Sequence, residues 1–208
     1  MIAAIDLEGV LAPEIWPHLG DQFGLPELHQ TTRDTGDFDE LMRRRVDALS
    51  RAGLTLPRVQ AVAHQVQPYL GSKEFLHRIR RHCQVMIISD TFHEFAEPMM
   101  DRLGGYNLFA NRFDVDASGH IVGWKLRIRG RKAMVVEGLR HAGFKVIGMG
   151  DSLNDLTLLQ AADYPVLFRP VETLRAKLPD APVVASLDEA LETFRGHFRS
   201  NGVDSNVL

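Results

Sequence analysis

The feature that most constrains this chain is a set of short, almost unbroken apolar runs: Ile2–Ile5, Val85–Ile88, Lys145–Met149 and Val166–Phe168. Apolar runs without alternation fit strands that are buried on both faces. Between them, helical patterns recur, as at Phe75, Leu76, Ile79 and His82, and again at Val135, Val136, Leu139 and Ala142. Strands that alternate with helices predict an α/β fold, a doubly wound parallel sheet covered on both faces with right-handed crossovers.

Two insertions break the alternation. About eighty residues separate the first run from the second, far more than one crossover helix needs. Phe38, Leu41, Met42, Arg45, Val46 and Leu49 mark one helix there, and Val59, Val62, Ala63 and Val66 another. This predicts a small helical cap over residues 13–69, a core built from residues 1–12 and 70–200, and a frayed tail over 201–208. The second insertion reads as a hairpin, with Phe113–Val115 and Ile121–Trp124 flanking a turn at Asp116–His120.

A chain of 208 residues buries roughly 70% of the surface it exposes when unfolded, so it can hold a substantial core. Its 45% hydrophobic and 25% charged content is that of an ordinary globular protein. A net charge of −3 gives no basic excess for general nucleic-acid or anionic-membrane binding. Cys83 is the only cysteine and has no intrachain partner, so nothing asks for an oxidising compartment. It is expected to be a small core residue rather than a reactive thiol. Asp6 and Glu8 interrupt the first apolar run, so it is not expected to be a signal peptide. No run approaches the ~20 residues of a membrane helix. A cytoplasmic monomer or homodimer is the expectation, with neither nucleic acid nor membrane as partner.

Polar groups follow the expected strand ends: Asp6-Leu-Glu-Gly-Val-Leu, then Ser89-Asp-Thr, then Gly150-Asp-Ser-Leu-Asn-Asp. In an open parallel sheet, ligands bind outside the carboxyl ends of the strands. Any one such segment is readily a turn or a helix cap; three at successive strand ends point to a site. Asp6, Glu8, Asp151 and Asp155 gathered in one cleft would repel one another, and a hard divalent cation relieves that repulsion. Oxygen donors of this kind suit Mg²⁺. The nine histidines are scattered and Cys83 stands alone, so no zinc pattern competes. Gly148-Met-Gly lacks the third glycine of a dinucleotide loop, because Leu153 stands in its place.

This set suits phosphoryl transfer. A carboxylate can attack phosphorus and become an aspartyl-phosphate, and an acid two residues further along can protonate the leaving alcohol and then activate water. Side chains at i and i+2 of an extended segment point the same way, so Glu8 can share the side of Asp6. Ser89 and the backbone amides after it are expected to hold phosphate oxygens at a helix start. Lys132, in Arg129-Gly-Arg-Lys, is the candidate cation for the phosphoryl group.

Together, Asp6-x-Glu-Gly-Val-Leu, Ser89-Asp-Thr, Lys132 and Gly150-Asp-x-x-Asn-Asp resemble the four motifs of the haloacid dehalogenase superfamily. Pro13-Glu-Ile-Trp, Thr31-Thr-Arg-Asp and Ser89-Asp-Thr-Phe carry the resemblance towards its phosphoserine phosphatases, above all those that also transfer the phosphoryl group to homoserine. The resemblance implies Mg²⁺ as cofactor, O-phospho-L-serine as substrate and homoserine as an acceptor. It implies Asp6 as nucleophile and metal ligand, and Glu8 as acid and base with its backbone carbonyl on the metal. Asp151 would bind the metal with Asp155 in support. Ser89, the amide of Asp90, Lys132 and Asn154 would surround the phosphate. Glu14 and Arg45 would hold the amino and carboxylate groups of the substrate.

The residues add their own arguments. A zwitterionic head needs an anion and a bidentate cation. Arg45 falls beside the apolar face of its helix and can turn outward or into a pocket, whereas Arg43 and Arg44 face solvent. Glu14 also fits a helix-start acid favoured by the dipole. Glu8 departs from the family's usual Asp, and Asp90 and Thr91 replace glycines that follow the family's serine. Lys125, Arg127, Arg129 and Arg131 alternate; on a strand they would form a basic edge, read chiefly as protection against aggregation and otherwise as a polyanion face. A phosphatase of a sugar or nucleotide monophosphate, or a non-catalytic phosphate- or polyanion-binding module, stays open on these residues.

Overall fold

A computed structural model describes residues 1–31, 34, 37–128 and 130–202. Its strands are β1 (Ile2–Ile5), β2 (Gln84–Phe92), β3 (Asn107–Val115), β4 (Ile121–Lys125), β5 (Val146–Gly150), β6 (Tyr164–Phe168) and β7 (Val183–Val184). They form one sheet in the order β4-β3-β2-β1-β5-β6-β7. Every neighbouring pair is parallel except β3 and β4, which are antiparallel. The expected α/β sheet is therefore present, with the hairpin as one edge.

The helices are α1 (Ile15–Phe23), α2 (Phe38–Arg51), α3 (Leu56–Ala63), α4 (Ser72–Ile79), α5 (His93–Leu103), α6 (Lys132–His141), α7 (Leu156–Ala161), α8 (Glu172–Arg175) and α9 (Leu187–Ser200). Strand β1 is buried throughout because helices cover both faces. Ala3 and Ile5 pack with Trp16, Phe95 and Phe194 on one side, while Ala4 packs with Val136, Leu158 and Leu167 on the other. This two-residue alternation explains why an unbroken apolar run is required. Strand order reverses at β1, which has β2 on one side and β5 on the other, so a crevice opens at its carboxyl end.

The two ends of the long insertion meet where Tyr69 N donates to Leu11 O at 2.9 Å. Between these ends, α2 buries Leu41, Met42, Arg45, Val46 and Leu49, and Asp37 caps its start by accepting from Asp39 N at 2.9 Å. Arg43 and Arg44 pair with Glu40 on the outer face. The insertion is tied to the hairpin: Leu56 N donates to Gly119 O at 2.7 Å, and Trp124 Nε1 to Asp39 Oδ1 at 3.2 Å.

The structure corrects several expectations. Val66 is buried but lies beyond the end of α3, and His82 lies beyond α4. Strand β2 continues past Ile88 to Phe92, with a shift in its register against β3, so Ser89-Asp-Thr belongs to a strand rather than a turn. The basic alternation does not form one edge strand, because β4 ends at Lys125. Lys125 pairs with Asp114 across the hairpin, and beyond it Ile128 turns inward to burial. Arg129, Thr32, Arg33 and residues 203–208 of the expected tail lie outside the described residues. Cys83 is buried against Ile79 O, and burial pushes its thiol up to about 12, which fits an inert core residue. No helix among the described residues is long and apolar enough to cross a membrane.

Candidate active site

Asp6 directly follows β1 and is fixed beside β5, because its amide donates to Met149 O at 3.0 Å. The loop after it turns at Gly9, where φ is +84°. A β-carbon at Gly9 would lie 2.4 Å from Asp151 Oδ2, so only glycine lets this loop approach Asp151. A β-carbon at Gly150 would similarly meet Asp155 Cβ at 2.4 Å. The two glycines allow carboxylate oxygens of Asp6, Asp151 and Asp155 to lie within 4.8 Å of one another. Three convergent carboxylates fit a hard divalent cation and could hold one.

Lys132 opens α6 and is fully buried against this cluster. Its Nζ lies 2.8 Å from Asp155 Oδ1, 3.1 Å from Asp6 Oδ1 and 3.5 Å from Asp90 Oδ2. Burial works against the ammonium, but Asp155, Asp6 and Asp90 outweigh it and hold its pKa well above the ordinary lysine value. Burial, followed by the charge of Asp155, pushes Asp6 well above the usual carboxylate range despite Lys132. The same two causes raise Asp151 to about 7. Asp155 uses both oxygens: Oδ1 accepts from Lys132, and Oδ2 accepts from Asp151 N at 3.0 Å and Ser152 N at 3.3 Å.

Glu8 Oε1 accepts from Ile15 N at 2.9 Å, so it satisfies an amide at the start of α1. Burial raises its carboxyl to about 7, with this hydrogen bond opposing the rise. Glu14 occupies the N-cap position of α1 and makes no side-chain capping bond there; it is exposed and lines the pocket instead. Arg45 is 6% exposed and also lines it. Its Nη2 donates to Gln30 O at 2.8 Å, its guanidinium stacks 4.6 Å from the Trp16 ring centroid, and its Nε has no partner. Burial lowers Arg45 to about 10, and the charges of Glu8 and Glu14 oppose that.

Asp6, Glu8, Glu14, Arg45, Ser89, Asp90, Lys132, Asp151 and Asn154 thus line one pocket, while Asp155 sits behind it on Lys132. One expectation needs correcting here: Ser89 is not at a helix start, because β2 runs on and α5 begins only at His93. Ser89 is buried and its Oγ accepts from Thr91 N at 3.3 Å. Sequence reasoning missed other parts of the site. Trp16, Phe38 and Leu41 give the pocket an apolar wall; Phe38 and Leu41 stood at helical spacing as ordinary core, and Trp16 stood only within the Pro13-Glu-Ile-Trp segment. It assigned Asp90 only an amide, yet the side chain itself reaches Lys132. Gly9 and Gly150 stood inside the quoted motifs, but only the close approach of Asp151 and Asp155 shows why they must be glycine.

The family model for haloacid dehalogenase-like hydrolases matches residues 12–160. The chain belongs to this family. The hydrolase is 38% identical over 193 residues to a phosphoserine phosphatase of Pseudomonas syringae pv. tomato, covering 93% of this chain and 81% of the relative. It is equally 38% identical over 193 residues to the phosphoserine phosphatase ThrH of Pseudomonas aeruginosa, covering 93% and 94% respectively. Among solved structures, the hydrolase resembles a phospho-aspartyl intermediate analogue of phosphoserine phosphatase with a TM-score of 0.76 at 20% identity, covering 92% of this chain and 97% of that one. A substrate-bound phosphoserine phosphatase complex gives 0.76 at 19% identity, covering 92% and 96%. At these identities the structural likeness concerns the fold.

Proposed function

We propose that this hydrolase is a Mg²⁺-dependent phosphatase of O-phospho-L-serine that works through an aspartyl-phosphate on Asp6. The observation that carries the reading is one pocket lined by Asp6, Lys132, Arg45 and Glu14, with Asp6 Oδ1 3.1 Å from Lys132 Nζ. The insertion 13–69 supplies Arg45 and Glu14 and acts as the cap. Asp6, Asp151 and the backbone carbonyl of Glu8 would hold the metal, with Asp155 buttressing them. When bound, Mg²⁺ supplies the positive charge that lets an anionic carboxylate approach an anionic ester.

An Asp6 oxygen attacks phosphorus, the ester P–O bond breaks, and Glu8 gives its proton to the departing serine oxygen. Glu8 then takes a proton from water, and the resulting hydroxide attacks phosphorus, so that orthophosphate leaves and the Asp6 carboxylate returns. A carboxyl near 7 suits both halves of this exchange. Lys132, Ser89, the amide of Asp90 and Asn154 hold phosphate oxygens. Closure of the cap excludes bulk water in the first step. The finer reading is that homoserine can replace water as acceptor. Its support is Glu8, one methylene longer than the family's usual Asp and held on α1 rather than against Asp6. Steady-state assays with phosphoserine and Mg²⁺, with and without homoserine, test both parts by scoring free phosphate against phosphohomoserine. No product from phosphoserine beside brisk turnover of another phosphate ester would replace the substrate reading.

Arg45→Ala should lower kcat/KM for phosphoserine about a hundredfold, through loss of a charge-assisted carboxylate contact. Turnover of a small aryl phosphate should change only a few-fold, and equal losses would refute the head-group role.

The raised carboxyls also predict a pH dependence. Glu8 moves from 4.5 and Asp151 from 3.8 to about 7 on folding. The metal-free folded chain therefore binds more protons than the unfolded chain between those values, and its stability falls as pH rises through that window. A divalent ion bound to ionised carboxylates offsets the penalty. The gain in melting temperature on adding Mg²⁺ should be larger at about pH 8 than at about pH 5. A gain independent of pH would count against the metal reading.

A further inference from the structure

Asp90 brings to the pocket a carboxylate that the proposed reaction does not use. Its side chain is 18% exposed, with Oδ2 lying 3.5 Å from Lys132 Nζ. Its Oδ1 is buried without a hydrogen-bond partner. The residue is held in place by its backbone. Its carbonyl accepts from Asn111 Nδ2 at 2.8 Å, and Asn111 Oδ1 accepts from Arg127 N at 2.8 Å and Ile128 N at 3.1 Å. Fully buried Asn111 thus latches the end of β2 to the segment that leads into Lys132.

A carboxylate in this position acts on a bound phosphate in two ways. It repels the anion at short range, where little water screens the charges. It also competes for Lys132, because an ammonium has three donors and Asp6, Asp155 and Asp90 all lie within reach of them. The contact to Asp90 is the longest of the three and the first that a phosphate oxygen would displace. The phosphoryl group is common to substrate and product, whereas the amino-acid head is on the substrate alone. Weak phosphate binding therefore hands discrimination to Arg45 and Glu14.

We propose that Asp90 is a specificity-determining residue that keeps the pocket's affinity for orthophosphate low, so that product leaves readily and substrate is selected through its amino-acid head. This rests on the phosphatase reading for the identity of the phosphate site, but it is read by binding rather than turnover. Asp90→Asn keeps the shape and removes the charge; Asp90→Ser removes both oxygens of the carboxylate.

Calorimetric titration of orthophosphate into the full chain with Mg²⁺ should show about tenfold tighter binding in both variants than in the wild type. Near-ultraviolet circular dichroism checks that each variant retains its packing. Unchanged or weaker binding in a folded Asp90→Asn protein overturns the proposal. Wild-type protein that leaves phosphoserine intact while the variants still bind orthophosphate more tightly refutes the substrate and upholds Asp90. Phosphoserine turnover alongside unchanged orthophosphate affinity in the variants does the reverse.

Discussion

Asp6→Asn should lower phosphoserine turnover by about 10⁴-fold or more, the scale set by losing a nucleophile on which the later steps depend. The amide is nearly the same size but is a far poorer nucleophile than a carboxylate, so the aspartyl-phosphate cannot form by the proposed route. The fold should tolerate the change. Asp6 is buried with its pKa well above the ordinary value, which means that the folded chain bears an electrostatic cost when this group ionises. A neutral amide removes that cost while leaving the Asp6 N–Met149 O bond intact. The expected result is an inactive variant that unfolds at no lower urea concentration than wild type. Rapid-quench trapping of acid-stable, protein-bound phosphate should fail in the variant. Near-normal, Mg²⁺-dependent turnover by Asp6→Asn would end the assignment.

Lys132→Met should be costly in two separate ways. The ammonium is enclosed by Asp155, Asp6 and Asp90, and it is the shared cation of the cluster. Removing one partner from a buried charge network typically costs about 3–5 kcal/mol, because the remaining charges are left uncompensated. The loss should be smaller at about pH 5 than at about pH 8, since protonation relieves the carboxylates that have lost their counter-ion. Urea unfolding at the two pH values measures this. Turnover should fall about 10²–10³-fold as well, through loss of a cation aimed at charge developing on the phosphoryl oxygens. Stability within about 1 kcal/mol of wild type at both pH values would contradict the buried network.

The parallel sheet was legible because burial on both faces leaves its mark directly on a strand: Ile2–Ile5 has no polar residue to spare. Strand β3 was largely missed, for Asn107, Asn111 and Arg112 interrupt its apolar residues. Asn111 belongs there only because its amide bonds the backbone of both Asp90 and the Arg127–Ile128 segment, partners remote in sequence. Strand β7, two residues long, is too short to have a period. The expected basic edge failed for a related reason: charge alternation predicts facing only where the backbone stays in a strand, and β4 ends at Lys125.

Within the pocket, the types and order of the chemical groups could be read from the chain. Asp6, Lys132 and Asp151 at strand and helix ends, with Ser89 three residues short of the end of β2, need no coordinates to be suspected, because the carboxyl edge of a parallel sheet is where ligands bind. Distances and environment could not be read. Whether Arg45 turns in or out depends on Trp16 offering a ring face and Gln30 a carbonyl, and both come from another part of the insertion. Whether Glu8 is an ordinary carboxyl or one near 7 depends on what covers it. That Asp90 presents its side chain to Lys132, and not merely its amide to a ligand, depends on an irregular strand end beside β3. The sequence by itself determined the layers, the order of the chemistry and the edge of the sheet on which it lies, because local patterns of burial and polarity encode these. Only the tertiary structure decided which charges share a cation, which are stripped of water and which side chains face one another, because those are relations between segments that touch only after folding.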